Sequence, residues 1–187
     1  MEKWLLDETR RHAIIVDDMS GYIKELRKKI GHQTIIQCAA SIICMDEDKR
    51  VLLGLRSDNH CWGYYGGSIE IDEKVEDCAK RELYEEMGLI AQELELFYIN
   101  SGIETHYIYP NGDEVCNVEI IYLCKKWQGE PQNSDGEMEE LRFFGLKEIN
   151  LDQISPPIRP VVRKLMDEAK QPLDYGEEYV NKKRNNK

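Results

Sequence analysis

Apolar and polar residues are patterned along this chain in a way that predicts a mixed α/β fold. Runs rich in β-branched residues indicate strands, and apolar residues three or four apart indicate helices. The predicted strands are 34–45, 50–56, 93–98, 116–127 and 140–145, and the predicted helices are 22–30 and one that begins at Pro156-Pro157. The polar turn 46–49 between the first two runs predicts a β-hairpin.

The same pattern divides the chain into three parts. Residues 1–31 precede the first clear strand and are predicted to form an N-terminal helical extension that contains a docking helix. Residues 32–171 are predicted to close one core, and residues 172–187 are expected to form a flexible polar tail because they are too polar to pack. Packing on the domain, pairing with a second subunit and fraying all remain open for residues 1–20.

The strand predicted at 116–127 carries an acidic residue at an inner position. Alternation places Glu119 on the same face as Asn117, Ile121 and Leu123. Two interpretations remain open at this point: Glu119 faces a functional site, or it is a surface carboxylate near the edge of the sheet.

An acidic motif lies between the second and third predicted strands. Five residues separate Gly67 from Glu73, seven separate Glu73 from Arg81, and Glu82, Glu85, Glu86 and Gly88 follow. At about 100° per residue, the last three glutamates gather on one side of a helix, next to an apolar stripe. Gly66 and Gly67 allow a close backbone approach, and Arg81 is predicted to pair with Glu73.

Three clustered glutamates repel one another, and a divalent cation would remove that repulsion. Oxygen ligands of high charge suit Mg²⁺, with Mn²⁺ as the alternative, and such ions are commonly shared with substrate phosphates. A solvated acidic helix face is the competing interpretation. We favour the metal site because all the spaced positions occur together.

Charge and composition limit the possible partners. The chain carries 36 Asp and Glu against 25 Lys and Arg, a net charge of −11, so a broad nucleic-acid surface is not expected. A small nucleotide substrate remains compatible, provided that cations offset the local field. The chain contains no run of 18 apolar residues and begins without the apolar centre of a signal peptide, so we expect no membrane association and a cytoplasmic location.

The acidic motif resembles the Nudix box, which is a glycine, five residues, a glutamate, seven residues, and then Arg-Glu-aliphatic-X-Glu-Glu-X-Gly-aliphatic. The resemblance implies an α/β/α sandwich with a mixed sheet, and Mg²⁺-dependent hydrolysis of a nucleoside diphosphate linked to another moiety. It also implies that Glu85 and Glu86 are metal ligands, that Glu82 is a ligand or base, and that the Gly66 carbonyl is a further ligand. Relatives usually have proline where this chain has Tyr65.

Residues outside the box are expected to complete the site. The base is expected to be Glu82 or a carboxylate outside the box, and we favour Glu140, because MutT-like relatives carry a functional glutamate in a similar region. Trp62, Tyr65 and Tyr107 are candidate substrate contacts. Residues 158–159 stand where the oxidised-guanine enzymes of the MutT group have an asparagine, so we expect a general nucleotide pyrophosphohydrolase.

Two other functions are considered. A catalytically silent Nudix-like nucleotide sensor would fit the fold, but the box carboxylates are intact. Isoprenoid diphosphate isomerisation would need a catalytic cysteine and glutamate in surroundings that the sequence does not show. A homodimer is possible.

Overall fold

The computed structural model describes residues 21–134 and 136–168, and within them it forms a mixed α/β structure. The elements in chain order are α1 (Tyr22–Ile30), β1 (Ile35–Cys44), β2 (Arg50–Arg56), β3 (Trp62–Gly63), β4 (Tyr65–Ser68), α2 (Val75–Met87), β5 (Ile90–Asn100), β6 (His106–Ile108), β7 (Glu114–Gln128), β8 (Met138–Gly145) and α3 (Arg159–Glu168). Residues 1–20 and the predicted tail 172–187 lie outside the described residues, so the division into three parts stays a prediction.

The strands form two sheets. The larger sheet has the order β4–β1–β7–β5, and the short β6 also pairs with β7. β1 runs parallel to β7, and the other pairs of this sheet are antiparallel, which confirms the predicted mixed sheet. The smaller sheet is antiparallel and has the order β3–β2–β8.

The predicted hairpin between β1 and β2 is wrong. The turn itself is present, with the Lys49 amide donating to the Asp46 carbonyl. Beyond it the two strands pair only through a single bridge between Met45 and Val51. β1 is already paired on both edges, with β4 on one side and β7 on the other. β2 therefore diverges into the smaller sheet.

The larger sheet separates two apolar clusters, as its alternating side chains predict. On β7, Tyr122 and Cys124 pack in the cluster that contains α2, whereas Ile121 and Leu123 pack in the cluster that contains α3. Helices therefore cover both faces, which confirms the α/β/α sandwich. Among the described residues, no helix is long and apolar enough to cross a membrane.

The two predicted helices outside the acidic motif are present. α1 docks through Arg27, whose guanidinium donates to the carbonyls of Gln33 at 2.6 Å and Glu114 at 2.8 Å. α3 follows a 3-10 turn at Pro156–Ile158, and its buried residues are Val161, Val162 and Leu165. The helix that begins beyond Pro156-Pro157 is thus amphipathic, as the spacing predicts.

Candidate active site

Gly66 lies where β4 comes very close to β1. A Cβ atom at this position would stand 2.2 Å from the Ser41 Oγ and 2.5 Å from the Ala40 carbonyl oxygen. No side chain fits there, so glycine is required for the approach of the two strands. This geometric role is the one that the sequence predicts for the glycine pair.

Gly67 makes room for a carboxylate of α2. A Cβ at Gly67 would lie 2.5 Å from the carboxyl carbon of Glu82. The side chain of Glu82 is largely buried as a result, and this burial raises its pKa even though Arg81 acts in the opposite direction. A carboxyl group that holds a proton more tightly than usual therefore lies directly against the glycine loop.

Arg81 links the start of the acidic motif to its helix. Its Nε and Nη2 donate to the two oxygens of Glu73 at 2.7 and 3.0 Å, which is the pairing predicted from the sequence. Its Nη1 also donates to Glu82 at 2.6 Å and to Glu85 at 3.0 Å. Burial acts to raise the pKa of Glu73, but the bonds from Arg81 and from the Glu70 amide hold that pKa below its ordinary value.

Negative charge exceeds positive charge around Arg81. Glu73, Glu82 and Glu85 share this one guanidinium, and Glu86, the residue after Glu85, is only 7% exposed. Burying that much charge is unfavourable without further cations. The arrangement can therefore attract a positively charged group.

Within the described part of the chain, no group of three or more His, Cys, Asp or Glu side chains is arranged to hold a metal ion. Arg81 instead donates to both Glu82 and Glu85. The donors are nonetheless the hard oxygens that Mg²⁺ prefers, and the Glu85 side chain is 44% exposed, so it has room to reorient. The residues thus fit the ion by donor chemistry and charge.

A cavity of about 100 Å³ adjoins the glycine loop, and we call it the Glu119 cleft. Its walls include Ser41, Arg56, Tyr64, Gly66, Gly67, Tyr109, Asn117, Glu119 and Ile158. Because Gly66 and Gly67 belong to its wall, a molecule in the cleft would extend towards the carboxylates of α2.

Glu119 is 8% exposed and is held by uncharged groups. Ser41 Oγ donates to its Oε1 at 2.6 Å, and the Tyr64 hydroxyl donates to its Oε2 at 3.0 Å. Asn100 Nδ2 adds a long contact of 3.5 Å, and no cationic side chain of the described residues lies within ion-pair distance. Burial raises the pKa of Glu119 despite these bonds. The interpretation as a cleft residue is supported, and a surface carboxylate is excluded.

The cleft also contains groups that the sequence analysis missed. Arg56 is fixed by Asp58, with Nε and Nη2 donating to its two carboxylate oxygens at 2.9 and 3.0 Å. Asn117 Oδ1 is buried and has no hydrogen-bond partner among the described residues. Tyr109 lies in the same wall, and burial raises its pKa. A ligand that donates to Asn117 would satisfy an otherwise costly buried acceptor.

Comparison with known proteins identifies the fold and the motif. Residues 36–165 match the family model of the NUDIX domain, which is more than half of the chain. The chain belongs to the NUDIX family. This membership confirms the predicted family and its reaction class, the hydrolysis of pyrophosphate bonds. The acidic motif is accordingly the NUDIX box of this protein.

Individual relatives agree with that assignment. The 8-oxo-dGTP diphosphatase of Escherichia coli K12 is 28% identical over 134 residues, covering 70% of this chain and 95% of that protein. An oxidized purine nucleoside triphosphate hydrolase of Danio rerio is 29% identical over 117 residues, 61% of this chain and 70% of that one. The MutT NUDIX hydrolase structure from Burkholderia pseudomallei superposes with a TM-score of 0.58 at 23% identity, covering 73% of this chain and 99% of that one.

Several predicted site residues lie away from the NUDIX box and the Glu119 cleft. Trp62 packs edge-on against Phe144 at 4.7 Å between ring centroids, and Tyr65 is fully buried in the cluster under α2. Neither side chain lines the cleft. Their role as substrate contacts stays a prediction, and their buried packing does not support it. Tyr107 stands closer, because its ring packs edge-on against Tyr109, which lines the cleft.

Of the remaining positions considered from the sequence, Glu140 lies outside the cleft and Ile158 lies in its wall. Glu140 is exposed on β8, opposite Leu55, and it does not line the cleft. Ile158 lines the cleft, whereas Arg159 turns back to donate to the Ile154 carbonyl at 2.9 Å. At this position the cleft wall is therefore apolar.

Proposed function

We propose that this chain is a Mg²⁺-dependent hydrolase that cleaves the diphosphate linkage of a nucleotide, with Mn²⁺ as the alternative ion. The substrate is a nucleoside triphosphate or a nucleoside diphosphate linked to another moiety such as ADP-ribose. The observation that carries the proposal is the contact between Gly67 and the Glu82 carboxyl group at the wall of the Glu119 cleft. A diphosphate extending from this cleft would meet the box glutamates.

The nucleoside is proposed to occupy the Glu119 cleft. Glu119, Asn117 and the Tyr109 hydroxyl offer hydrogen-bonding groups, and Ile158 and Gly63 offer apolar surface. The relatives named as an 8-oxo-dGTP diphosphatase and an oxidized purine nucleoside triphosphate hydrolase support a nucleotide ligand. Because Ile158 provides no hydrogen bond, we propose a general nucleotide pyrophosphohydrolase rather than an enzyme restricted to oxidised guanine.

Glu82, Glu85, Glu86 and the Gly66 carbonyl would hold the ion. When bound, it supplies positive charge to the phosphoryl oxygens and makes a nearby water more acidic. Arg81 keeps Glu82 and Glu85 on the side of α2 that adjoins the glycine loop. Glu82, which lies against the glycine loop, would accept the proton of the attacking water. Glu140 remains the second candidate for the base.

The proposal is tested by the release of phosphate or pyrophosphate from a panel of nucleotides with Mg²⁺ and with a chelator. The panel contains dGTP, 8-oxo-dGTP, ADP-ribose, a sugar nucleotide and a dinucleoside polyphosphate. Hydrolysis of at least one compound that stops when the ion is removed is expected. Inactivity on the whole panel would overturn the proposal and support the catalytically silent sensor instead.

Three properties remain predictions of the sequence. They are a cytoplasmic location, the absence of nucleic-acid and membrane partners, and the possible homodimer. Gel filtration of the purified full chain at several concentrations checks the last of these.

A further inference from the structure

A second cavity, of about 400 Å³, has Glu82 in its wall. We call it the α1 groove, because Ile23, Lys24 and Arg27 of α1 form part of its wall. The remaining wall consists of Gly21, Ser68, Glu70, Glu82 and Asp113. α1 lies outside residues 36–165, so this groove combines the NUDIX box with a segment that the family model does not include.

Helix α1 is held against the domain by hydrogen bonds near its two ends. The Tyr22 amide donates to Glu70 Oε2 at 2.7 Å, and a Cβ at Gly21 would stand 2.6 Å from Glu70 Oε1. At the other end of the helix, Arg27 donates to the carbonyls of Gln33 and Glu114. Both ends of α1 are therefore attached to the domain.

Charge pairing leaves Lys24 and Glu70 of the groove wall without an ion-pair partner among the described residues. Arg81 donates to Glu82 at 2.6 Å, and Asp113 lies 3.4 Å from the Arg27 guanidinium and 2.8 Å from His32. Glu70 accepts the bond from the α1 amide. Lys24 lines the groove, and its ammonium has no hydrogen bond or ion pair with any other described residue. The groove therefore offers a cation for an anionic ligand.

The two cavities flank the same carboxylate. Gly67, against which Glu82 lies, belongs to the Glu119 cleft, and Glu82 itself belongs to the α1 groove. A nucleotide whose diphosphate lies at the box carboxylates would have its nucleoside on one side. The group beyond the scissile linkage would then lie on the other side, next to Lys24.

We propose that the α1 groove binds the phosphate beyond the scissile linkage and that Lys24 donates hydrogen bonds to this phosphate. Nucleoside triphosphates would then be preferred over substrates that end in a neutral sugar. This inference rests on the proposed function. An ammonium–phosphate contact is a charge-assisted hydrogen bond, whereas a sugar at the same place would leave the charge of Lys24 unused.

The test compares Lys24→Ala with Lys29→Ala, which removes an exposed lysine of the same helix outside the groove wall. Steady-state kinetics are measured with dGTP and with ADP-ribose. Lys24→Ala should raise the KM for dGTP about tenfold and change ADP-ribose kinetics less than about twofold. Lys24→Arg should stay near the wild type, and Lys29→Ala should change neither substrate.

Equal changes on both substrates, or no change on dGTP, would overturn the inference. Wild-type hydrolysis of ADP-ribose without hydrolysis of dGTP would also overturn it, while the proposed function would stand. If the wild type hydrolyses no compound of the panel, the proposed function fails, and ligand binding to the α1 groove is measured instead. Calorimetric titration with inorganic tripolyphosphate and Mg²⁺ should then show weaker binding to Lys24→Ala than to Lys29→Ala, and equal binding would contradict the assignment.

Discussion

The NUDIX box and the Glu119 cleft are neighbours in space, but their residues come from very different distances along the chain. The charged residues that the box motif specifies all lie within residues 73–86, on one loop and one helix. The cleft combines Ser41 of β1, Tyr64 beside β4 and Glu119 of β7. Residue spacing therefore identifies the box, whereas the cleft exists only once the strands have paired.

The two regions also treat a buried carboxylate differently. Glu82 is held by a guanidinium, so its charge is part of an ion-pair network. Glu119 is held by two hydroxyl groups and an amide, all of them neutral. Neutralising Glu82 should therefore lower the rate of the chemical step, whereas neutralising Glu119 should weaken ligand binding.

The largest expected effect belongs to the box. Glu82→Gln should lower kcat on the order of 10²–10⁴-fold if Glu82 accepts the proton of water. Glu76→Gln, at an exposed position of the same helix, is the control and should leave kcat unchanged. Turnover of the best substrate of the panel is the measurement, with thermal melts to verify folding.

Glu140→Gln tests whether Glu140, the second candidate, acts as the base. Turnover close to that of the wild type would eliminate Glu140 as base or ligand. A loss as large as that of Glu82→Gln would instead support Glu140 as the base or as a ligand.

The glycine pair separates effects on the fold from effects on the site. Gly66→Ala would collide with the backbone of β1, so the free energy of unfolding should fall by about 1–3 kcal/mol. Gly67→Ala would instead push the Glu82 carboxyl group, which can move, so stability should change little. A displacement of about 1 Å at that carboxyl group should lower kcat about 10²-fold. Urea unfolding and turnover of both variants check this contrast, which equal losses of stability would contradict.

Glu119→Gln tests the cleft. The amide keeps the shape and can bond to Ser41 and Tyr64 after their hydroxyls rotate, but it no longer carries a negative charge. KM for a nucleotide substrate should rise about tenfold, with kcat changed less than about twofold. A fall in kcat with constant KM would place Glu119 in the chemical step.

The same variant carries a pH dependence. Because the folded pKa of Glu119 lies above its unfolded value of about 4.3, ionisation is easier in the unfolded chain. The wild type should therefore lose stability relative to Glu119→Gln as pH rises from about 4.3 through the folded pKa. Unfolding free energies of both proteins between pH 4.5 and about 8 measure the difference, and a constant difference would contradict the raised pKa.

The smallest effect is expected at Tyr65. Its hydroxyl is buried and has no hydrogen-bond partner among the described residues, so Tyr65→Phe should stabilise the protein by up to about 1 kcal/mol. Tyr64→Phe is the matched comparison, and it should destabilise by about 1 kcal/mol because the bond to Glu119 is lost. Nucleotide KM should be unchanged in Tyr65→Phe, and an increase would support a substrate contact.

The sequence predicts local features of the fold well. The helix at 22–30, the two faces of β7 and the Arg81–Glu73 pair depend on spacing alone, and all three are present. The prediction of a hairpin at 46–49 is wrong, because nothing in residues 34–45 reveals that both edges of β1 are already paired. Strand pairing across long sequence distances decided this case.

The cleft shows the same limit. Arg56, Tyr109 and Asn117 carry no common spacing. Arg56 ends β2, Tyr109 follows β6 and Asn117 lies on β7, so they meet only in the folded chain. One indication was available, since polar residues at inner positions of a central strand are unusual. Asn117 and Glu119 alternate with apolar residues on β7, and Ser41 interrupts an apolar run on β1.

The contacts of Arg81 make the box glutamates interdependent in evolution and in engineering. The Arg81 guanidinium, 29% exposed, bonds to Glu73, Glu82 and Glu85. Neutralising any one of these glutamates therefore changes how strongly Arg81 interacts with the other two. Substitutions at Glu82 and Glu85 should show epistasis, and a double-mutant cycle should depart from additivity by about 0.5–3 kcal/mol. A mutational scan of single positions would therefore misjudge how much each of these acids contributes.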